Sequence, residues 1–146
     1  MSTWIEMLPV ESATGSLKEA YDLAKTPAGT VDNVMRIHSL RPHTMVGHLK
    51  LYRSVLHHQE NTLPLWFLEA VGVITSLLNN CEYSFTHHST NLRRLLNDDE
   101  RFGIIENALR CHTLDAAFSG KELALMRYTE KLTISPGKVE ATDVED

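Results

Sequence analysis

The stretch Leu65-Trp66-Phe67-Leu68-Glu69-Ala70-Val71-Gly72-Val73-Ile74-Thr75-Ser76-Leu77-Leu78 constrains the chain most. Pro64 stands before it and Asn79-Asn80 follow it. A membrane span needs about 20 mostly apolar residues. The run from Leu63 to Leu78 is interrupted by Pro64, Glu69, Thr75 and Ser76. It therefore predicts a mostly buried helix over 65–78, with Asn79 or Asn80 ending it, capping the next helix, or both. Glu69 is the only acidic residue between Pro64 and Cys81. An unpaired buried charge is costly, so a carboxylate there calls for a partner.

The remaining punctuation is helical too. Ser16-Leu17-Lys18-Glu19 has the capping-box pattern and predicts a helix over 17–25. Pro27 and Gly29 break the chain, and Val31, Val34, Met35 and Ile37 suit a short helix. Pro42 is placed for the first position of a helix running to about His58. A helix after Cys81 should reach Leu95 or Leu96, and Asn97-Asp98-Asp99 opens another. Ser119-Gly120-Lys121-Glu122 is a second capping box, starting a helix through Leu132 that Ser135-Pro136-Gly137 stops. Thr142-Asp143-Val144-Glu145 is a third, with one residue left after it, and suits either the start of a C-terminal helix missing from this chain or a polar tail that matches the short pattern by chance. No stretch alternates cleanly over strand length. The expected fold is all-α, in one domain over 1–146.

Charge and cysteine usage exclude several classes. The net charge is −5 and the charged fraction 23%, without the basic face of a nucleic-acid binder. Two cysteines are too few for a disulfide scaffold. The N-terminus has no basic segment followed by an apolar run. The expectation is a cytoplasmic protein outside the membrane, with reduced thiols. The eight histidines do not have metal-ligand spacing: His57-His58 and His87-His88 are adjacent pairs, and no H-E-x-x-H occurs. No glycine-rich phosphate loop is present. No metal or cofactor is expected.

The chemistry concentrates in Asn79-Asn80-Cys81-Glu82-Tyr83-Ser84-Phe85-Thr86-His87-His88. With Cys81 in the first turn of a helix, Ser84 lies about 60° from it and His88 about 20° from it on one face. His87 falls off that face, and Tyr83 opposes it. The positive end of a helix dipole favours a thiolate over a thiol, and the thiolate is the nucleophile. Glu69 can orient the His88 imidazole, and the imidazole can move a proton. Two plainer readings stay open: Cys81 as a small apolar residue of a helix, and Glu69 at the surface or paired with an arginine. Trp66, Phe67 and Phe85 suit either a substrate pocket or ordinary core.

These residues resemble the carboxymuconolactone decarboxylase and AhpD-like alkylhydroperoxidase superfamily, in particular its peroxidase-related branch. That family has a Glu, then twelve residues on a C-x-x-C, with a His four residues after the second cysteine. Glu69 to Cys81 has the twelve-residue step, and His88 lies four beyond Ser84. The approach Ser76-Leu77-Leu78-Asn79-Asn80-Cys81-Glu82-Tyr83 is similar to the branch's S-x-x-N-x-C-x-Y-C. Weaker matches, at Val31-Asp32-Asn33 with Arg36, Ser39 and Pro42, and at Glu122 to Pro136, extend the likeness over roughly Trp4 to Asp146.

The resemblance implies an AhpD-like bundle around a helical hairpin that carries Glu69, Cys81, Ser84 and His88. It implies a homo-oligomer, commonly a trimer or hexamer, that reduces small hydroperoxides at the expense of an external thiol. Decarboxylase relatives share the fold without the cysteine pair. Ser84 stands at the second cysteine position, so no disulfide can form within the motif. Three functions follow as expectations: a one-cysteine peroxidase on Cys81, a non-redox enzyme using Glu69 and His88 with Ser84 as a substrate contact, and an oligomeric homologue without catalysis.

Overall fold

The computed structural model describes residues 3–145. All regular structure among them is helical, in a multi-helix all-α arrangement. The backbone groups into two compact units, one ending at Asn61 and one beginning at Thr62.

The first unit holds α1 (Gly15–Ala24), the single turn α2 (Asn33–Arg36) and α3 (Pro42–His57). Pro42 occupies the first turn of α3, where its missing N–H has no intrahelical partner to lose. Ala20, Tyr21, Ala24, Met35 and Met45 form the buried core of this unit, with Val10, Leu17 and Leu49 packed on it. Tyr21 is 1% exposed, and its hydroxyl donates to the Leu8 carbonyl at 2.7 Å. The Leu8 N–H in turn donates to Ser39 Oγ at 3.0 Å. These bonds pin the segment before α1 onto the unit's interior.

The second unit holds α4 (Leu65–Leu78), α5 (Glu82–Leu96), α6 (Asp99–Cys111) and α7 (Gly120–Ile134), with 3₁₀ turns at Leu114–Ala116, Pro136–Lys138 and Ala141–Asp143. α4 is its central helix, packed on α5, α6 and α7. Phe67, Ala70, Val73 and Ile74 of α4 are fully buried against Phe85 and Leu92 of α5, Ile105 and Leu109 of α6, Phe118, and Met126 of α7. Each large side chain so buried contributes about 1.5–3 kcal/mol relative to exposure. Phe67 and Phe85 are thus core. Trp66 packs beside them, edge-on to Phe67 and under the Arg101 guanidinium. No helix is long and apolar enough to cross a membrane among the described residues.

The α4–α5 turn explains how the hairpin closes. Asn80 takes the left-handed conformation, φ 52°. Its N–H bonds to the Leu77 carbonyl at 3.0 Å, and the Cys81 N–H bonds to the Ser76 carbonyl at 2.9 Å. This is a Schellman closure with asparagine in the position usually held by glycine. Asp98 caps α6 by accepting from the Arg101 N–H at 3.0 Å.

The capping expectations need correction at three places. Neither Thr14 nor Ser119, the residues that precede α1 and α7, makes a side-chain cap bond, and Ser16 lies inside α1. In both cases a glycine follows at positive φ, Gly15 at 54° and Gly120 at 52°. That bend carries the preceding side chain away from the first free N–H groups. Near the C-terminus the capping box forms between Glu140 and Asp143, two residues before the expected frame, and heads a 3₁₀ turn. Lys131 fixes it there by holding the Asp143 carboxylate at 2.6 and 2.8 Å.

Candidate functional site

The polar residues of α4 have two fates. Thr75 donates to the Val71 carbonyl at 2.8 Å, and Ser76 to the Gly72 carbonyl at 2.6 Å. A hydroxyl satisfies itself on its own helix in this way. Glu69 cannot, because an ionised carboxylate only accepts. Its side chain is 3% exposed, so its donors must come from another helix.

α5 supplies them. His88 Nδ1 lies 2.7 Å from Glu69 Oε2. Asn91, three residues further along α5, donates from Nδ2 to Glu69 Oε1 at 3.3 Å. Both carboxylate oxygens are therefore engaged by one face of α5. A carboxylate accepts but does not donate, so Nδ1 of His88 carries the proton and Nε2 is the nitrogen left to take one up. A carboxylate in this position fixes the tautomer and the ring orientation. The His88 side chain is 24% exposed, so protons can reach it.

Ser84 sits one turn before His88 and faces the same helix. Its Oγ is 2.8 Å from Ser76 Oγ. Ser76 has a single hydroxyl proton. When that proton is on the Gly72 carbonyl, Ser84 is the donor to Ser76.

Cys81 departs from its expected place. It is the residue before α5 rather than part of its first turn, with φ −100° and ψ 88°. Its thiol makes no cap bond and the residue is exposed. The reason is the Schellman closure, which uses the Cys81 N–H to finish α4 and so delays the start of α5. The shared-face geometry therefore applies to Ser84 and His88, which both contact α4, and not to the sulfur. His87 is exposed, and its ring packs on Tyr83 with centroids 4.5 Å apart. Cys111 is also exposed, with Sγ 3.7 Å from Asn107 Oδ1.

Sequence reasoning missed Asn91 and Ser76 as members of this constellation. The signal for Asn91 was its step of three from His88 on a helix whose other facing residues had been identified. Ser76 stands four residues after Gly72, and its partner could be found only by pairing α4 against α5.

No protein-family model matches the chain, and no curated protein matches its sequence. The chemistry therefore rests on the geometry. A buried carboxylate holding an imidazole by Nδ1 is an arrangement able to transfer protons. An exposed thiol stands in the turn that joins the two helices of the same hairpin. Among the described residues no group of three or more His, Cys, Asp or Glu side chains is arranged to hold a metal ion.

Proposed function

We propose that the chain is an AhpD-like, one-cysteine thiol peroxidase in which Glu69 and His88 manage the protons and Cys81 is the thiol oxidised. The observation that carries this reading is the 2.7 Å contact between His88 Nδ1 and the buried Glu69 carboxylate. Its Nε2 serves as base toward the thiol and then as acid toward the leaving oxygen. The Cys81 thiolate attacks the terminal oxygen of a small organic hydroperoxide. An S–O bond forms, the O–O bond breaks, and the departing alkoxide takes the proton and leaves as the alcohol. Cys81 is then a sulfenic acid, oxidised by two electrons. An external low-molecular-weight thiol displaces water to give a mixed disulfide. A second thiol releases Cys81 reduced, together with the external disulfide.

Cys81 lies seven residues before His88, about 10 Å of helix rise. Ser84 falls between them along the chain. Its hydroxyl is the group through which the proton passes, after leaving Ser76. The protein acts as a homo-oligomer, a trimer or hexamer, in the cytoplasm, where small thiols are abundant.

The test is sulfenate trapping by mass spectrometry after addition of an organic hydroperoxide. Cys111 in the same sample is the comparison. Cys81 should be trapped at least ten times faster than Cys111, and His88→Gln should slow Cys81 by about 10²-fold, the lower range of general acid–base catalysis. Equal trapping of the two cysteines would sink the proposal. Ser84→Cys should add peroxide-dependent loss of two alkylatable thiols at once, as a disulfide closes within the motif.

A second reading has its own support. The Glu69–His88 pair is complete without sulfur, and the Cys81 thiol forms no hydrogen bond to it. That arrangement suits a non-redox, lactone decarboxylase-like enzyme in which His88 transfers a proton to or from carbon and Ser84 contacts the substrate. Turnover of a lactone carboxylic acid that survives Cys81→Ala and disappears in His88→Gln would select this reading over the first.

A further inference from the structure

Two stripes face each other across the α4–α5 hairpin. Glu69, Gly72 and Ser76 recur at steps of three and four on α4; Ser84, His88 and Asn91 do so on α5. Such spacing places each trio on one helix face. Glu69 meets His88 and Asn91, and Ser76 meets Ser84. Gly72 is the middle member, and it meets the imidazole.

The contact is closer than any side chain permits. A Cβ on Gly72 would fall 2.5 Å from His88 Nδ1, 2.6 Å from Cγ and 2.7 Å from Cε1. The first of these atoms is the nitrogen bonded to Glu69. The three near-equal distances place that Cβ over the face of the ring, beside the nitrogen that meets Glu69. Glycine in a helix interior is destabilising relative to alanine, so its presence here calls for a use of the space. Gly103, inside α6, has nothing within 4 Å of the same constructed position. Gly72 and Gly103 thus differ in what they admit.

We propose that Gly72 is a positioning residue, whose missing side chain seats the His88 imidazole against α4 and thereby turns Nδ1 onto Glu69 and Nε2 away from it. Gly72 touches no reacting atom and acts through His88. Its role in catalysis rests on the acid–base reading of Glu69 and His88 given above. Its role in seating the ring does not.

The test is a thermodynamic cycle read together with imidazole nitrogen NMR. Gly72→Ala is made in the wild type and in His88→Ala, with Gly103→Ala as the reference glycine. In the wild type Gly72→Ala should lower the melting temperature. With His88 truncated it should raise it, as Gly103→Ala should in either background, because alanine is the better helix former. The long-range proton–nitrogen spectrum should show His88 protonated at Nδ1. That signal should be lost or averaged in Gly72→Ala and kept in Gly103→Ala.

The same melting shift for Gly72→Ala in both backgrounds would overturn the proposal, as would an unchanged Nδ1–H signal in folded Gly72→Ala. If Gly72→Ala does not fold, the double variant decides: folding better than His88→Ala alone supports the seat, and failing with it refutes it. None of these readouts requires turnover. Absence of peroxidase activity would therefore count against the functional reading alone, and a flat cycle against the positioning role alone.

Discussion

The second unit contains two histidine–glutamate pairs that look alike by distance, ring nitrogen and sequence separation and differ in burial and in their place on the helices. His88 meets Glu69 at 2.7 Å and His112 meets Glu130 at 2.8 Å, both through Nδ1. Their sequence separations are 19 and 18 residues. The Glu69 side chain is 3% exposed and that of Glu130 25%; the imidazoles are 24% and 53% exposed. His88 lies inside α5 facing α4, whereas His112 ends α6 in the left-handed conformation, φ 55°. Glu69 has a second donor in Asn91. A hydrogen-bond length therefore does not mark a site. What separates the two pairs is water, which competes for the exposed partners and is largely excluded from Glu69.

The strongest attempt to break this contrast is truncation of the two acids. Glu69→Ala leaves His88 Nδ1 and Asn91 Nδ2 without their acceptor and opens space between α4 and α5. Breaking a buried pair by removing one partner costs about 3–5 kcal/mol. Urea denaturation should place Glu69→Ala in that range, and Glu130→Ala below about 1 kcal/mol. Similar losses for both would mean that burial does not distinguish the pairs.

The buried pair was partly legible in the sequence and the exposed one was not. A lone acid in a helix as apolar as α4 needs a partner, and a step of twelve from Glu69 to Cys81 brings the following helix back over it. The limits of α3 and α4 were legible because Pro42, Pro64 and Asn79-Asn80 act on the backbone locally. The position of Cys81 was not. It depends on which residue the Schellman closure consumes, and adjacent asparagines allow more than one register. Gly72 gave no signal, because a helical glycine reads only as a local weakness until the neighbouring helix is in place. The pairing of His112 with Glu130 joins two helix ends through tertiary packing, which no local pattern specifies.

The first unit offers a third histidine whose partner is another base. His38 Nδ1 lies 2.8 Å from Thr44 Oγ1, and Thr44 donates its proton to the Arg41 carbonyl at 2.8 Å. Thr44 must then accept from His38 Nδ1–H. His38 Nε2 is left to accept from His48 Nδ1–H, at 3.0 Å. A proton added to Nε2 would destroy that acceptor, whereas His88 can gain one at Nε2 and keep its bond to Glu69. Burial, and after it the charge of a protonated His48, holds His38 below the usual histidine range. The unfolded chain then binds more protons than the folded one below about pH 6.5. The contribution is complete above that pH and is lost as pH falls through the lower folded value. Melting curves from pH 8 to pH 5 should show this decline, by less than the loss in Glu69→Ala. His38→Gln should flatten the wild-type slope, and an unchanged slope would assign the acid sensitivity to another group.

The smallest effect belongs to the exposed pair, and its salt dependence gives the sharpest contrast. His112 and Glu130 interact within reach of solvent and counter-ions. The Debye length shrinks from about 10 Å at 0.1 M to about 3 Å at 1 M ionic strength. His112→Gln should cost at most about 0.5 kcal/mol at low salt. By 1 M sodium chloride the difference from wild type should vanish. His88→Gln, compared in the same two buffers, should keep most of its cost, because the Glu69 carboxylate is shielded from added ions by α4 and α5. Equal sensitivity of the two variants to salt would place water at Glu69, and the distinction between a buried pair and a surface ion pair would no longer hold.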